Sequence, residues 1–226
     1  MNAVIIIPAF NEAAVIYKVI KFLPKKLKGI KNVKVVVVDD GSTDDTRLQA
    51  KKAGAIVLRH PVNRGVGAAT KTGIEWARKQ SIDLLITFDA DGQHNPLDIP
   101  RLIKPIIKNE ADLVIGSRFK RQQSIPFDRL ILNWSANLIT LMLFGIFSTD
   151  SQSGLRAMSK RAIRNLNFKN DRMEFSTEVL IEAKRNKLKT QEVPTSAVYT
   201  VYSRKKGQKN TNAFPIFIRF LVKWLR

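Results

Sequence analysis

Cysteine is absent from this 226-residue chain. Disulfides and thiolate metal sites are thereby excluded, and a reducing, cytosolic setting is permitted. Acids are scarce, with 19 Asp and Glu against 39 Lys and Arg and a net charge of +20. After Glu192 no acid occurs at all, while Arg204, Lys205, Lys206, Lys209, Arg219, Lys223 and Arg226 are basic. A partner with dense negative charge follows. There is no helix-turn-helix, finger or aromatic-basic RNA platform, so the expected partner is an anionic lipid surface and not nucleic acid. Each Lys or Arg near such a leaflet contributes about 1 kcal/mol. Long apolar runs are also lacking. Leu130 to Phe147, 18 residues without a charge, just reaches spanning length. The first strand-like run opens at Val4, which leaves no room for a signal peptide. Gly65-Val66-Gly67 lacks the third glycine of a dinucleotide fingerprint and no Gly-Lys-Ser/Thr follows, so a helix-opening turn is expected there.

What is present is a folded core in alternating elements. Hydrophobic residues make up 44% of the chain, enough for one packed domain. Strand-like runs at Val4–Ile7, Val33–Val38, Ala55–Leu58, Leu84–Phe88 and Leu113–Ile115 alternate with helical patterns at Ala13–Leu27, Ala68–Lys79, Ile99–Lys108 and Phe175–Asn186. Capping chemistry at Ser42–Asp45 opens a further helix to Ala53, with Gly54 as its stop. A last strand is expected at Val198–Tyr202. Such alternation predicts an α/β fold, a mostly parallel sheet covered by helices on both faces.

Three of these strands empty into polar, acid-bearing loops. Val4–Ile7 ends at Pro8-Ala9-Phe10-Asn11-Glu12, Val33–Val38 at Asp39-Asp40-Gly41-Ser42-Thr43-Asp44, and Leu84–Phe88 at Asp89-Ala90-Asp91-Gly92-Gln93-His94. Parallel strands place their carboxyl ends along one edge, where open α/β sheets bind ligands. Asp89 and Asp91, one residue apart, can converge on a hard cation, and Gln93 adds an amide oxygen. Oxygen-only ligation suits Mg²⁺ or Mn²⁺ shared with a diphosphate. His94 is either a further ligand or a surface histidine bonding a neighbour.

Those three loops, followed by Gly116-Ser117-Arg118 and Asp150-Ser151-Gln152-Ser153-Gly154-Leu155-Arg156, occur in an order that resembles family 2 glycosyltransferases of the dolichyl-phosphate mannose synthase type. Glu192-Val193-Pro194 and the basic stretch beyond Tyr202 extend the likeness. The resemblance implies a GT-A fold over residues 1–210, a nucleotide-sugar donor, a divalent metal and a polyprenyl or dolichyl phosphate acceptor. It also implies site roles. Asp39 contacts the nucleobase or ribose beside Asp40, with Pro8, Asn11 and Glu12 walling the pocket. Asp91 is the principal metal ligand with Asp89 and Gln93. Arg118 and Arg129, with Asn133, hold the acceptor phosphate, Gln152 faces the sugar, and Arg204, Lys206 and Lys209 close over the diphosphate.

An ionised phosphate oxygen needs no general base to attack the sugar, so positioning and electrostatics suffice. The leading expectation is therefore an inverting, metal-dependent transferase moving a mannose- or glucose-type hexose from a GDP- or UDP-sugar to polyprenyl phosphate at the cytoplasmic membrane face. A glycan hydroxyl acceptor is the alternative, and it requires a carboxylate base such as Asp150 or Glu174. A non-catalytic basic adaptor docking on lipid or RNA is a third reading. Asn133, Asn137 and Thr140 recur on one helical face, which favours an interfacial helix at 130–147 over a spanning one. Residues 211–226 read as a second membrane-associating helix, and a membrane-anchoring partner protein is compatible with both.

Overall fold

The apolar runs that end in acids become strands buried on both faces, as near-continuous Val, Ile and Leu sequence requires in a covered parallel sheet. The computed structural model describes residues 1–120 and 127–198. Its strands are β1 (Asn2–Ala9), β2 (Asn32–Asp39), β3 (Ile56–Arg59), β4 (Leu84–Thr87), β5 (Leu113–Ser117), β6 (Arg156–Ser159) and β7 (Thr190–Pro194). They form one sheet in the order β3-β2-β1-β4-β6-β5-β7. Every pairing is parallel except the two made by β6, which runs against β4 and β5.

Helices cover both faces. They are α1 (Ile16–Phe22), α2 (Thr46–Lys52), α3 (Val66–Arg78), α4 (Ile99–Ile107), α5 (Phe127–Phe144), α6 (Lys160–Asn165) and α7 (Phe175–Arg185). Successive strand residues point to opposite sides. Ile5, Ile7 and Ile86 therefore pack under α1, α2 and α4 with Ile16, Ile20, Ala50, Leu102 and Ile106. Val4, Ile6 and Leu85 pack under α3, α6 and α7 with Ala69, Ile74, Ile163, Val179 and Leu180. Each fully buried Ile or Leu contributes about 1.5–3 kcal/mol.

Register fixes the functional edge. Ala9 lies opposite Asp39 and Asp39 opposite Arg59. Thr87 lies opposite Arg156, which in turn pairs with Ile115, and Ser117 pairs with Pro194. Because β6 is reversed, its first residue stands opposite the last residue of β4 and near the end of β5.

Some elements differ from expectation. The expected helix from Ala13 to Leu27 is shorter, because Leu23 precedes Pro24 and takes the extended conformation that proline imposes. Pro105 sits inside α4 without ending it. β6 and β7 carry no strand signal of their own and exist through pairing with β4 and β5. The expected strand beyond Val198 and the helix at 211–226 lie outside the described residues. No helix among the described residues is long and apolar enough to cross a membrane.

Candidate active site at the carboxyl edge of the sheet

The loops after β1 and β2 are knitted together. Asn11, at φ 54°, donates its backbone N–H to Ser42 Oγ (2.9 Å), and its Oδ1 accepts from the Thr43 N–H (2.9 Å). The Glu12 N–H donates to Thr46 Oγ1 (2.6 Å). Asp39 is buried, accepts from the Ser42 N–H (3.0 Å) and lies 3.7 Å from the Arg59 guanidinium. Pro8 is half-buried opposite Val38. These residues line the rim where the nucleotide was expected.

Asp40 points elsewhere. Its carboxylate bonds His60 Nδ1 (2.6 Å) and accepts from the Arg64 (3.0 Å) and Gly65 (2.7 Å) N–H groups, and His60 Nε2 reaches Thr72 Oγ1 (2.9 Å). Both Asp40 oxygens hold the 60–65 loop, so the residue shapes the loop that borders the expected donor site. Gly41 (φ 73°) is required because a Cβ there would strike the Val62 and Asn63 backbone. Gly65 (φ 107°) opens α3, as its lack of a fingerprint implied.

The loop after β4 separates its two aspartates by environment. Asp89 bonds His94 Nε2 (2.8 Å), and a Cβ on Gly154 would collide with its carboxylate, so only glycine fits there. Burial opposes ionisation of Asp89, yet His94 and the charges of Arg118 and Arg156 outweigh it and hold the carboxyl below the ordinary value. Asp91 is pushed the other way, first by burial and then by the Asp89 charge. The Gln93 N–H donates to Asp91 Oδ1 (2.9 Å), and the Gln93 carbonyl accepts from the Val198 N–H (2.8 Å). His94 is buried, not on the surface, with its ring edge-on to Phe88 and its Nδ1 without an acceptor.

This donor set fits a hard divalent cation. Asp91 is disfavoured as an anion by burial and a like charge, and a cation reverses both effects. Among the described residues no three His, Cys, Asp or Glu side chains gather into a complete cage. A site of two carboxylates and an amide leaves positions for phosphate oxygens and water, the habit of Mg²⁺ and Mn²⁺.

The opposite wall comes from β5, the 148–156 loop and α5. Arg118 forks onto the fully buried Asp150, with Nε to Oδ2 and Nη2 to Oδ1 both 2.8 Å, and its backbone N–H adds a third bond (3.1 Å). Asn133 and Asn137 both donate to the Thr149 carbonyl (3.0 and 2.8 Å), and Asn137 Oδ1 accepts from the Ser151 N–H (2.9 Å). Asn133, expected against the acceptor phosphate, gives an amide N–H to the loop and braces it. Glu192 clamps the same loop through Ser148 Oγ (2.7 Å) and the Thr149 N–H (2.9 Å). Burial opposes ionisation of Glu192, but the bonds from Thr149 and Ser148 and the charge of Lys120 prevail and lower its pKa. Gln152 Nε2 reaches Thr177 Oγ1 (3.2 Å) at the start of α7. Arg129 falls in the first turn of α5. Arg204, Lys206 and Lys209 lie outside the described residues.

The edge therefore gathers Asn11, Glu12, Asp39, Asp89, Asp91, Gln93, Arg118 and Gln152. Sequence reasoning placed Asn137 only on the polar face of an interfacial helix and Gly154 only within a motif, and it did not single out His60 or the burial of Arg156. A lone histidine after a strand, and a glycine preceding Leu155-Arg156, were the only traces of two of them.

A three-layer α/β sheet with paired aspartates past a central strand and an arginine-bearing opposite wall defines a GT-A glycosyltransferase. The chain belongs to glycosyl transferase family 2, whose model matches residues 4–171. It is 43% identical to the uncharacterized protein MJ1222 of Methanocaldococcus jannaschii over 97% of this chain and 90% of that one. It is 38% identical to the UDP-N-acetylglucosamine–dolichyl-phosphate N-acetylglucosaminyltransferase of Methanococcus voltae, covering 96% and 94%. It is 33% identical to the undecaprenyl-phosphate mannosyltransferase of Micrococcus luteus, covering 73% and 69%. In fold it is similar to glucosyl-3-phosphoglycerate synthase of Mycobacterium tuberculosis in complex with Mn²⁺, UDP-glucose and phosphoglyceric acid. There the TM-score is 0.67 at 22% identity, covering 91% of this chain and 74% of that one.

Proposed function

We propose that this glycosyltransferase moves a hexose from a nucleoside-diphosphate sugar to a polyprenyl or dolichyl phosphate, at the surface of a membrane and on its cytoplasmic face. The observation that carries this reading is α5. Its amides face the 148–151 loop of the site, while Ile131, Leu141 and, most exposed, Trp134 (67%) and Met142 (75%) stand on its outer side. An apolar ridge beside the rim suits a lipid-borne acceptor whose tail stays in the bilayer. The names of the M. voltae and M. luteus relatives agree on a lipid-phosphate acceptor and differ in the sugar moved, an N-acetylglucosamine in one and a mannose in the other.

Acceptor chemistry separates this reading from transfer to a glycan hydroxyl. A hydroxyl needs a base, and Asp150, one of the two candidates, is already engaged by three N–H groups of Arg118. A phosphate oxygen bonds to the anomeric carbon as the bond from that carbon to the nucleoside diphosphate breaks. The electron pair leaves with the diphosphate and no proton moves. Asp91, Asp89 and Gln93 would hold Mg²⁺ or Mn²⁺, which when bound neutralises charge on the leaving diphosphate. Asp39, Asn11 and Glu12 wall the nucleotide, Gln152 orients sugar hydroxyls, and Arg118 and Arg129 position the acceptor. Lys and Arg beyond residue 199, including Arg204 and Lys209, contribute to the grip on the diphosphate and on anionic headgroups.

The test is incubation of purified protein with GDP-mannose, UDP-glucose or UDP-N-acetylglucosamine and either polyprenyl phosphate or a free oligosaccharide. A lipid-extractable, acid-labile product is expected with one donor; product on the oligosaccharide alone would overturn the proposal. Calorimetry against the same nucleotides with and without Mn²⁺ addresses the adaptor reading, which predicts no metal-dependent binding. Asp91→Ala is expected to abolish turnover, and Arg129→Ala chiefly to raise KM for the lipid phosphate by about tenfold, the loss of one charge-assisted contact.

A further inference from the structure

Among the described residues two arginines bridge backbone carbonyls, and they differ in their surroundings. Arg78, at the far end of α3, donates Nε to the Ile163 carbonyl (2.7 Å) and Nη2 to that of Leu166, fastening α3 to α6 away from the acid-lined edge. Arg156, 2% exposed at the start of β6, donates Nη2 to the carbonyls of Ser151 (3.0 Å) and Ser176 (2.9 Å). Its Nε is buried without an acceptor. Arg78 pairs with one exposed carboxylate, Glu75, whereas Arg156 stands in the field of two, Asp89 and Asp150. These partly offset the burial that brings its pKa down to about 10.

Burying a guanidinium is costly unless its charge and donors are used. Here each end of its surroundings belongs to a different half of the site. Asp89 is the anchored aspartate of the metal loop, fixed by His94 and by the space that Gly154 leaves. Asp150 holds Arg118 on the acceptor side. Ser151 is tied by its N–H to Asn137 of α5, and Ser176 precedes Thr177, the partner of Gln152. The reversed strand β6 is what delivers one residue between all of these.

We propose that Arg156 is a positioning residue: one buried cation holds Asp89 and the 150–154 loop in a single mutual arrangement, so that donor grip and acceptor grip depend on it together. This rests on the donor and acceptor reading of the edge given above. A merely structural Arg156 would behave like Arg78.

The experiment compares Arg156→Met, Arg156→Lys and Arg78→Met with wild type. It reads melting temperature, Mn²⁺-dependent affinity for UDP and GDP by calorimetry, and separate KM values for sugar nucleotide and polyprenyl phosphate. Both methionine variants are expected to melt earlier. Only Arg156→Met is expected to weaken nucleotide binding and raise the polyprenyl phosphate KM, each by at least about tenfold, the size of one charge-assisted hydrogen bond. Arg156→Lys keeps the charge but not the two-carbonyl bridge, so it should recover nucleotide affinity while its acceptor KM stays raised. Unchanged nucleotide affinity and KM values in Arg156→Met would overturn the proposal. If that variant does not fold, Arg156→Lys with both KM values at wild-type level overturns it equally. Wild-type protein that binds neither nucleotide with Mn²⁺ would instead overturn the functional reading on which it rests.

Discussion

The helices α1 and α5 are amphipathic in opposite senses. α1 hides Ile16, Val19 and Ile20 and presents Tyr17, Lys18, Lys21 and, at its carboxyl end, Phe22. α5 hides Asn133 and Thr140 and presents Ile131, Trp134, Leu141 and Met142. Their neighbours explain the inversion. α1 lies on the apolar face of the sheet, so its own apolar stripe is drawn inward. α5 lies on the 148–151 loop, whose carbonyls and N–H groups must find partners, and the amides of Asn133 and Asn137 supply them. A helix with its polar side satisfied by protein leaves its apolar side for whatever lies outside. Outside α1, with its two lysines, we propose water; outside α5, hydrocarbon and headgroups.

The comparison can be broken most sharply at the buried stripe of α1. Ile20→Asp places a charge against the sheet, and a cost above about 3 kcal/mol is expected, seen as loss of the cooperative melting transition. A near-normal midpoint would mean that α1 is not packed as described. Asn137→Leu is expected to cost about 1–3 kcal/mol, since the Thr149 carbonyl keeps one amide partner while the Ser151 N–H loses its acceptor. The same variant should raise KM for the lipid phosphate, and unaltered kinetics would detach α5 from the acceptor side.

The outer face of α5 gives a smaller effect on the fold and a distinct one on binding. Trp134→Ser combined with Met142→Ser should leave stability within about 0.5 kcal/mol, as exposed substitutions do. Partition onto vesicles should fall by more than about tenfold, as expected if each side chain buries for about 1.5–3 kcal/mol. Sedimentation with vesicles reads the second outcome, and undiminished partition would remove α5 from the interface. The smallest effect is expected from Lys18→Gln with Lys21→Gln on α1, with stability within about 0.5 kcal/mol and partition changed by less than about threefold. An effect equal to that of the α5 pair would show that both helices meet the membrane and that the contrast between them is false.

Much of the site was legible because its chemistry sits directly after apolar runs. Strand ends are local, so Asp39, Asp89 and Asp91 could be placed on one edge once the strands were seen. Glycine signals were equally local, and Gly54 and Gly65 act as the stop and the opening they indicated. Side-chain direction was less accessible. Asp39 and Asp40 are adjacent, and only the folded loop shows that one takes the Ser42 N–H and Arg59 while the other holds His60 and Gly65. Asn133 likewise shared its helical face with Asn137, yet nothing local revealed that the Thr149 carbonyl would receive both amides.

The amino-acid sequence alone determined the α/β alternation, the acid-bearing strand ends and the family, because hydrophobic period, turn chemistry and motif order are properties of neighbouring residues. Tertiary structure decided the direction of β6. Arg-Ala-Met-Ser has no strand pattern to speak of and becomes one only between β4 and β5. That reversal brings Arg156 and the 150–154 loop to the aspartates, and it depends on hydrogen bonds between residues about 70 positions apart, such as Thr87 Oγ1 to the Gly154 carbonyl (2.6 Å). Pairing partners at that separation leave no mark in a local window, so the wall facing the aspartates had to be seen folded.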